Sequence, residues 1–208
     1  MPSVYAFYNP VAGLGTKEKI FMAGEEAGSE GRAFANIVTG ASAGSSYELP
    51  LMGKYSFENA VANPNISNKT IVVGTDDATP GQVYVYVGTK NSTGNDIDKA
   101  GLTNGKLYGV AVAGLTAEVS ASFPAPNTAF SLVDMGSIID STGASLNKLS
   151  IAKNVTNFLR PEDCAWDPSN LNDFYFATTN AITAPSRLWR LIFTDINSPE
   201  KGGTITAV

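Results

Sequence analysis

Hydrophobic positions in this chain recur in short, dense or alternating runs rather than at helical spacing. Gln82-Val83-Tyr84-Val85-Tyr86-Val87 is the densest of them. Similar runs are Ile71-Val72-Val73, Lys106 to Val112, Asp173-Phe174-Tyr175-Phe176-Ala177 and Arg187 to Phe193. Each is rich in β-branched and aromatic residues and is bounded by Gly, Pro, Asn, Asp or Ser, the signature of strands and turns. Helical patterning is scarce: Thr16 to Lys19 makes at most a turn, and Ser145 to Lys153 suits one helix. The pattern therefore predicts an all-β chain.

The runs also repeat. Glu58-Asn59-Ala60-Val61-Ala62-Asn63-Pro64 aligns with Glu162-Asp163-Cys164-Ala165-Trp166-Asp167-Pro168, and Glu58 and Glu162 stand 104 residues apart. The alignment continues through Ile71-Val72-Val73 against Tyr175-Phe176-Ala177. After one gap, Val83-Tyr84-Val85 meets Leu188-Trp189-Arg190. A weaker copy sets Ile20-Phe21-Met22-Ala23-Gly24 against Thr70-Ile71-Val72-Val73-Gly74, with Gly24 and Gly74 50 residues apart. A repeat of about 50 residues built from short strands is the unit of a β-propeller, because one four-stranded sheet buries both faces only when neighbours stack on it. The chain is long enough for about four such blades. We expect residues 1–208 to form a single β-propeller domain, or part of a larger propeller whose remaining blades lie elsewhere. A β-sandwich is the alternative architecture.

Composition narrows the chemistry. The 208 residues include 14 Lys plus Arg and 19 Asp plus Glu, for a formal charge of −5, which argues against nucleic acid as a partner. With no His and one Cys, the chain can hold no Ser-His-Asp triad, no Cys-His pair, no internal disulfide and no Cys-rich zinc site. No apolar run is long enough to span a membrane as a helix. Met1-Pro2-Ser3-Val4-Tyr5 does not read as a charged leader before an apolar stretch. Gly202-Gly203-Thr204-Ile205-Thr206 reads like a strand beginning, as expected for a piece of something longer.

Carboxylates, Arg, Lys, Tyr and the one thiol are left to do chemistry, and a bound metal could help only through oxygen-rich ligation. Glu58 and Glu162 occupy equivalent places in two repeats, and equivalent places in a propeller converge near the central channel. Converging carboxylates suit Ca²⁺, which takes 6–8 oxygen ligands. The pairs Glu25-Glu26 and Asp76-Asp77 end two copies of the repeat and add candidate ligands. In an extended strand only one member of such a pair faces a given side. Arg160-Pro161-Glu162-Asp163 sets a planar cation beside two acids, suited to phosphate or to an internal ion pair. Glu30-Gly31-Arg32 has the same two readings. Cys164, opposite Ala60 in the repeat, reads as a core thiol. Trp166 and Trp189 read as packing between blades. Gly13-Leu14-Gly15 and Gly40 to Gly44 are turn chemistry, without the setting of a phosphate loop. The sequons at Asn65, Asn68, Asn91 and Asn154 are of the kind that Asn-rich turns produce by chance.

Taken in order, several motifs resemble the PhoX-type alkaline phosphatase family, secreted bacterial β-propellers that use calcium and iron. They are Gly24-Glu25-Glu26, Met52-Gly53-Lys54-Tyr55-Ser56-Phe57-Glu58, Gly74-Thr75-Asp76-Asp77 with Val83-Tyr84-Val85-Tyr86, and Arg160-Pro161-Glu162 with Asp167-Pro168 and Phe174 to Thr179. The resemblance implies a metal-dependent phosphoester hydrolase acting on a small phosphoester, located in the periplasm or outside the cell. It makes Glu25, Glu26, Glu58 and Glu162 candidate ligands and Arg160 a phosphate contact, with Arg160 and Glu162 as the catalytic pair. Two positions depart from the family pattern: Gly24 stands where the family has an iron-ligating Cys, and Phe57 where it has His. Loss of the thiolate favours Ca²⁺ over iron. A non-catalytic, calcium-binding propeller scaffold is the rival reading, and a lactonase-like or phytase-like propeller hydrolase is a third.

Overall fold

The computed structural model describes residues 4–208. Met1 to Ser3, within the N-terminal stretch read above as lacking a leader, lie outside the described residues. Two short strands, β1 (Tyr8–Asn9) and β2 (Leu14–Gly15), form a hairpin. A three-stranded antiparallel sheet follows: β3 (Ile20–Gly24), β4 (Ala33–Ile37) and β5 (Ser46–Glu48). Next come β6 (Phe57–Ala62), β7 (Lys69–Asp76) and β8 (Val83–Thr89), the short helix α1 (Asp96–Lys99), then β9 (Lys106–Val112) and β10 (Thr128–Asp134). Helix α2 (Gly143–Ala152) precedes β11 (Pro161–Trp166), β12 (Asp173–Thr178), β13 (Arg187–Phe193) and β14 (Gly203–Ala207).

The fold is all-β, of the β-propeller type, and the internal repeat is visible in it. Residues 57–112 and 161–207 each make a four-stranded antiparallel meander, β6 to β9 and β11 to β14. β3 takes the place of β7 in the first, three-stranded sheet, as the 50-residue offset implies. The two meanders are neighbours: their leading strands β6 and β11 lie side by side. The 104-residue spacing thus relates adjacent sheets, because the residues between them form β10 and α2 rather than another meander. β10 pairs with both β9 and β14, joining the meanders into one nine-stranded sheet that folds back on itself.

Burial on both faces explains the dense apolar runs. Along β7 and β8, Ile71, Val73, Val83 and Val85 face the second meander, where they pack with Phe158, Phe174, Phe176, Trp189 and Leu191. Their neighbours Val72, Tyr84 and Tyr86 face the other way, into a core shared with Ile20, Ala35, Ile37, Phe57 and Leu146. Alternation along one strand therefore supplies both cores. Trp189 is fully buried and stacks on Phe176. Helix α2 is capped by Thr142, whose hydroxyl accepts the Ser145 N–H. No helix among the described residues is long and apolar enough to cross a membrane.

Candidate metal centre

The acids singled out by the repeat gather at one end of the three sheets. Glu26 follows β3, Asp77 follows β7, and Glu58 and Glu162 lie within β6 and β11. Carboxylate oxygens of Glu26, Glu58 and Asp77 lie within 4.8 Å of one another. Both glutamates of the repeat sit at a register shift. In β6, Phe57 pairs with Asp76 but Asn59 with Thr75, leaving Glu58 as the extra residue. In β11 the same shift falls between Pro161 and Cys164. Such bulges bend a strand and re-aim a side chain, and they recur beside functional sites. Equivalent positions meet directly here, since Asn59 Nδ2 donates to Asp163 Oδ1 at 3.2 Å.

Charge crowding marks Glu58. Burial, then Glu26, Glu162, Asp163 and Asp77, raise its carboxyl above the ordinary carboxylate range. Arg160 is the nearby counter-charge. Its Nε and Nη2 donate to the two oxygens of Asp77 at 2.8 and 3.0 Å, and Nη2 lies 2.9 Å from Glu162 Oε1. Glu162 also accepts the Thr179 hydroxyl at 2.5 Å. Arg160 has φ of 59°, in the left-handed region that a residue with a Cβ rarely enters. Backbone bonds hold it there: its N–H donates to the Ala78 carbonyl and its carbonyl accepts from Thr179. Strain of this kind persists where the surroundings over-determine it, and functional sites are where it collects.

Two of the six candidate ligands are elsewhere. Glu25 is turned away into an ion pair with Arg32, which donates to it from Nε, Nη2 and the main chain. That pairing is also the outcome for the Glu30-Gly31-Arg32 loop. Asp76 is buried beneath the cluster, where Oδ1 accepts the Ser56 N–H at 3.1 Å, and burial pushes its carboxyl up to about 7. The pairs sit where β3 and β7 end, and of each pair the second member reaches the cluster while the first is held by other partners. Cys164 packs against the second core, and burial pushes its thiol up to about 12, which keeps it a thiol at neutral pH.

Sequence reasoning passed over three residues. Glu118 is buried and accepts from Thr178 Oγ1 (2.9 Å), Arg187 Nη1 (2.6 Å), Trp189 Nε1 (3.3 Å) and the Leu159 N–H (3.0 Å). It anchors the segment leading into Arg160. Lys90 is buried and its Nζ donates to the Ser67 and Lys69 carbonyls. Lys54 lies against a cavity of about 120 Å³ whose wall includes Asp76 and Asp77. The family-motif run around Lys54 was the one available signal.

Stacked antiparallel meanders with carboxylates converging at one end define a propeller-type protein with an acidic centre. Residues 43–203 match the model for alkaline phosphatase PhoX, and the chain belongs to that family. Among solved structures it is similar to Pseudomonas fluorescens PhoX in complex with vanadate, a transition state analogue. The TM-score is 0.63 and the identity 13%, over 88% of this chain and 35% of that one. At that identity the likeness concerns the fold, and this chain spans about a third of its relative's length. Comparison with curated protein sequences gives no match.

Proposed function

We propose that this chain carries a phosphoester-hydrolysing centre of the alkaline phosphatase type, built around a hard divalent cation, calcium in preference to iron. The observation that carries this reading is the convergence of Glu26, Glu58 and Asp77 from three strands, with Arg160 held against them. An all-oxygen donor set fits a hard cation. A Cβ on Gly24 would lie 2.2 Å from the Cβ of Phe57, so β3 approaches β6 too closely there for any side chain at position 24. Phe57 is itself buried and stacked on Tyr55 at 3.6 Å between ring centroids. Neither a thiolate nor an imidazole is therefore available at this spot, which disfavours iron.

Glu26, Glu58 and Asp77 would hold the cation, with Glu162 close enough to add to the field. A bound divalent cation would polarise a phosphoryl oxygen and stabilise the charge that builds on it. Protons would compete with the cation at the raised Glu58 carboxyl more than at an ordinary carboxylate, so affinity should climb with pH. Arg160, fixed by its backbone and by Asp77, would stabilise negative charge on the transferring group. Thr179 and Arg160 together hold the Glu162 carboxylate in one orientation. A small phosphoester is the substrate class. The family resemblance supports a periplasmic or extracellular location, and blades beyond these three sheets would complete the ring.

The test is metal content and p-nitrophenyl phosphate turnover on the full chain purified without chelator, alongside Glu58→Gln and Glu162→Gln. Calcium should co-purify, Glu58→Gln should weaken Ca²⁺ binding by about tenfold or more, and Glu162→Gln should abolish phosphate release with the fold intact. Equal turnover in Glu162→Gln and the parent would refute the catalytic assignment. Calcium that raises the melting temperature without any turnover would favour the non-catalytic scaffold.

A further inference from the structure

We propose that Lys54 binds the phosphate oxyanion at this centre, and that the anion approaches through the cavity beside the carboxylate cluster. The assignment rests on reading the centre as a phosphoester site, and it names the residue and the route that recognise the substrate.

The cavity and the cluster share a wall. Asp77 belongs to both, and Asp76, Ser56, Ser29 and Asn147 line the cavity with Lys54. Its volume is about 120 Å³, more than the ~10–15 Å³ that one water needs. That room suits a compact tetrahedral oxyanion, with any bulky leaving group left outside.

The case for Lys54 comes from accounting for the cations nearby. Arg160 commits Nε and Nη2 to Asp77 and Glu162 at 2.8 to 3.0 Å. Arg32 is committed to Glu25 and Glu48. Of these three, Lys54 has the loose partner: its Nζ is 3.9 Å from Glu30 Oε2, beyond hydrogen-bond reach. Glu30 is already used, because its Oε1 accepts the Gly143 N–H at 2.9 Å and so caps α2. Lys54 is also the basic residue among those lining the cavity. An anion entering there meets one ammonium group that can turn to it without breaking a short ion pair.

The base of this side chain is rigid while its tip is free. The Tyr55 N–H donates to the Gly31 carbonyl, and Lys54 is bridged to Arg32. Helix α2 packs down on the same spot through Gly143, where a Cβ would fall 1.5 Å from the Ser29 carbonyl oxygen and 2.9 Å from that of Lys54. A flexible four-carbon stem on a fixed backbone is the arrangement that lets a point charge follow an anion.

The experiment is calorimetric titration of inorganic phosphate into the Ca²⁺-loaded full chain, and of Ca²⁺ into the metal-free chain, for wild type, Lys54→Gln and Lys54→Arg. Loss of a charge-assisted hydrogen bond should weaken phosphate binding about tenfold or more in Lys54→Gln. Ca²⁺ binding should hold or tighten, because a positive charge has left the neighbourhood of the carboxylates. Lys54→Arg should keep most of the phosphate affinity. Unchanged phosphate binding in Lys54→Gln, parallel loss of Ca²⁺ and phosphate in that variant, or no phosphate binding by wild type would each overturn the assignment. Lys54-dependent phosphate binding without p-nitrophenyl phosphate turnover would instead uphold Lys54 and refute the hydrolase reading.

Discussion

Replacing Asp76 with Asn should change how stability depends on pH, by an amount the structure sets. Asp76 is 6% exposed, and its carboxyl is pushed up to about 7 from an ordinary 3.8. Burial is the main cause. The N–H groups of Ser56 and Gln82 work against it, and the Asp77 charge adds to it. Between about pH 4 and pH 7 the folded protein therefore keeps a proton that the unfolded chain releases. Its contribution to stability is full below about pH 4 and is lost as pH rises through 7. A shift of about 3 units at 1.36 kcal/mol per unit gives a loss of about 4 kcal/mol. Asn keeps an oxygen to accept the Ser56 N–H but cannot ionise. Relative to wild type, Asp76→Asn should thus gain up to about 4 kcal/mol between pH 4 and pH 8. Urea unfolding followed through the buried Trp166 and Trp189, with chelator present to keep cations off the neighbouring acids, measures this directly. A gap between the two proteins that stays constant to within about 1 kcal/mol from pH 5 to pH 8 would refute the reasoning.

Two other buried charges give companion tests. Burial pushes Lys90 down to about 8 from 10.5, so the unfolded chain holds a proton there that the folded protein has lost. Wild type should gain about 3 kcal/mol relative to Lys90→Met between pH 8 and pH 10.5, and parallel urea midpoints across that range would contradict it. Glu118→Gln should cost about 3 kcal/mol by leaving the half-buried Arg187 without its counter-charge. A loss below about 1 kcal/mol in urea unfolding would show that the node is dispensable.

Local pattern was enough to read the strands, because the runs in β7 and β8 are buried on two faces and apolar at successive positions, while β12 and β13 alternate between buried and partly exposed positions. It was also enough to read the repeat, since stacked meanders ask the same residues of equivalent places. Glu58 and Glu162 were visible as a repeated pair for that reason. Pattern could not choose Glu26 over Glu25 or Asp77 over Asp76, because that choice depends on distant partners, Arg32 for Glu25 and the Ser56 N–H for Asp76, met where the strands end. Nor could it show the bulges, which exist only as a mismatch between two strands. The 104-residue spacing was ambiguous for a related reason: only the folded chain shows that β10 and α2 occupy the interval between neighbouring sheets.

By itself the sequence determined an all-β, propeller-type chain of the PhoX family, without His chemistry or a disulfide, and with its reactive groups confined to carboxylates and a few cations. The strands and the missing chemistry follow from composition and short-range periodicity, which act residue by residue, and the family shows in the motifs taken in order. The tertiary structure alone decided which acids meet, that Asp77 and Glu162 orient Arg160 through its Nε and Nη2, that Phe57 lies against Gly24, and that Lys54 is left loose beside the cavity. These depend on distances of a few ångströms between residues as far apart in the chain as Glu26 and Arg160, and such distances arise only when the sheets stack.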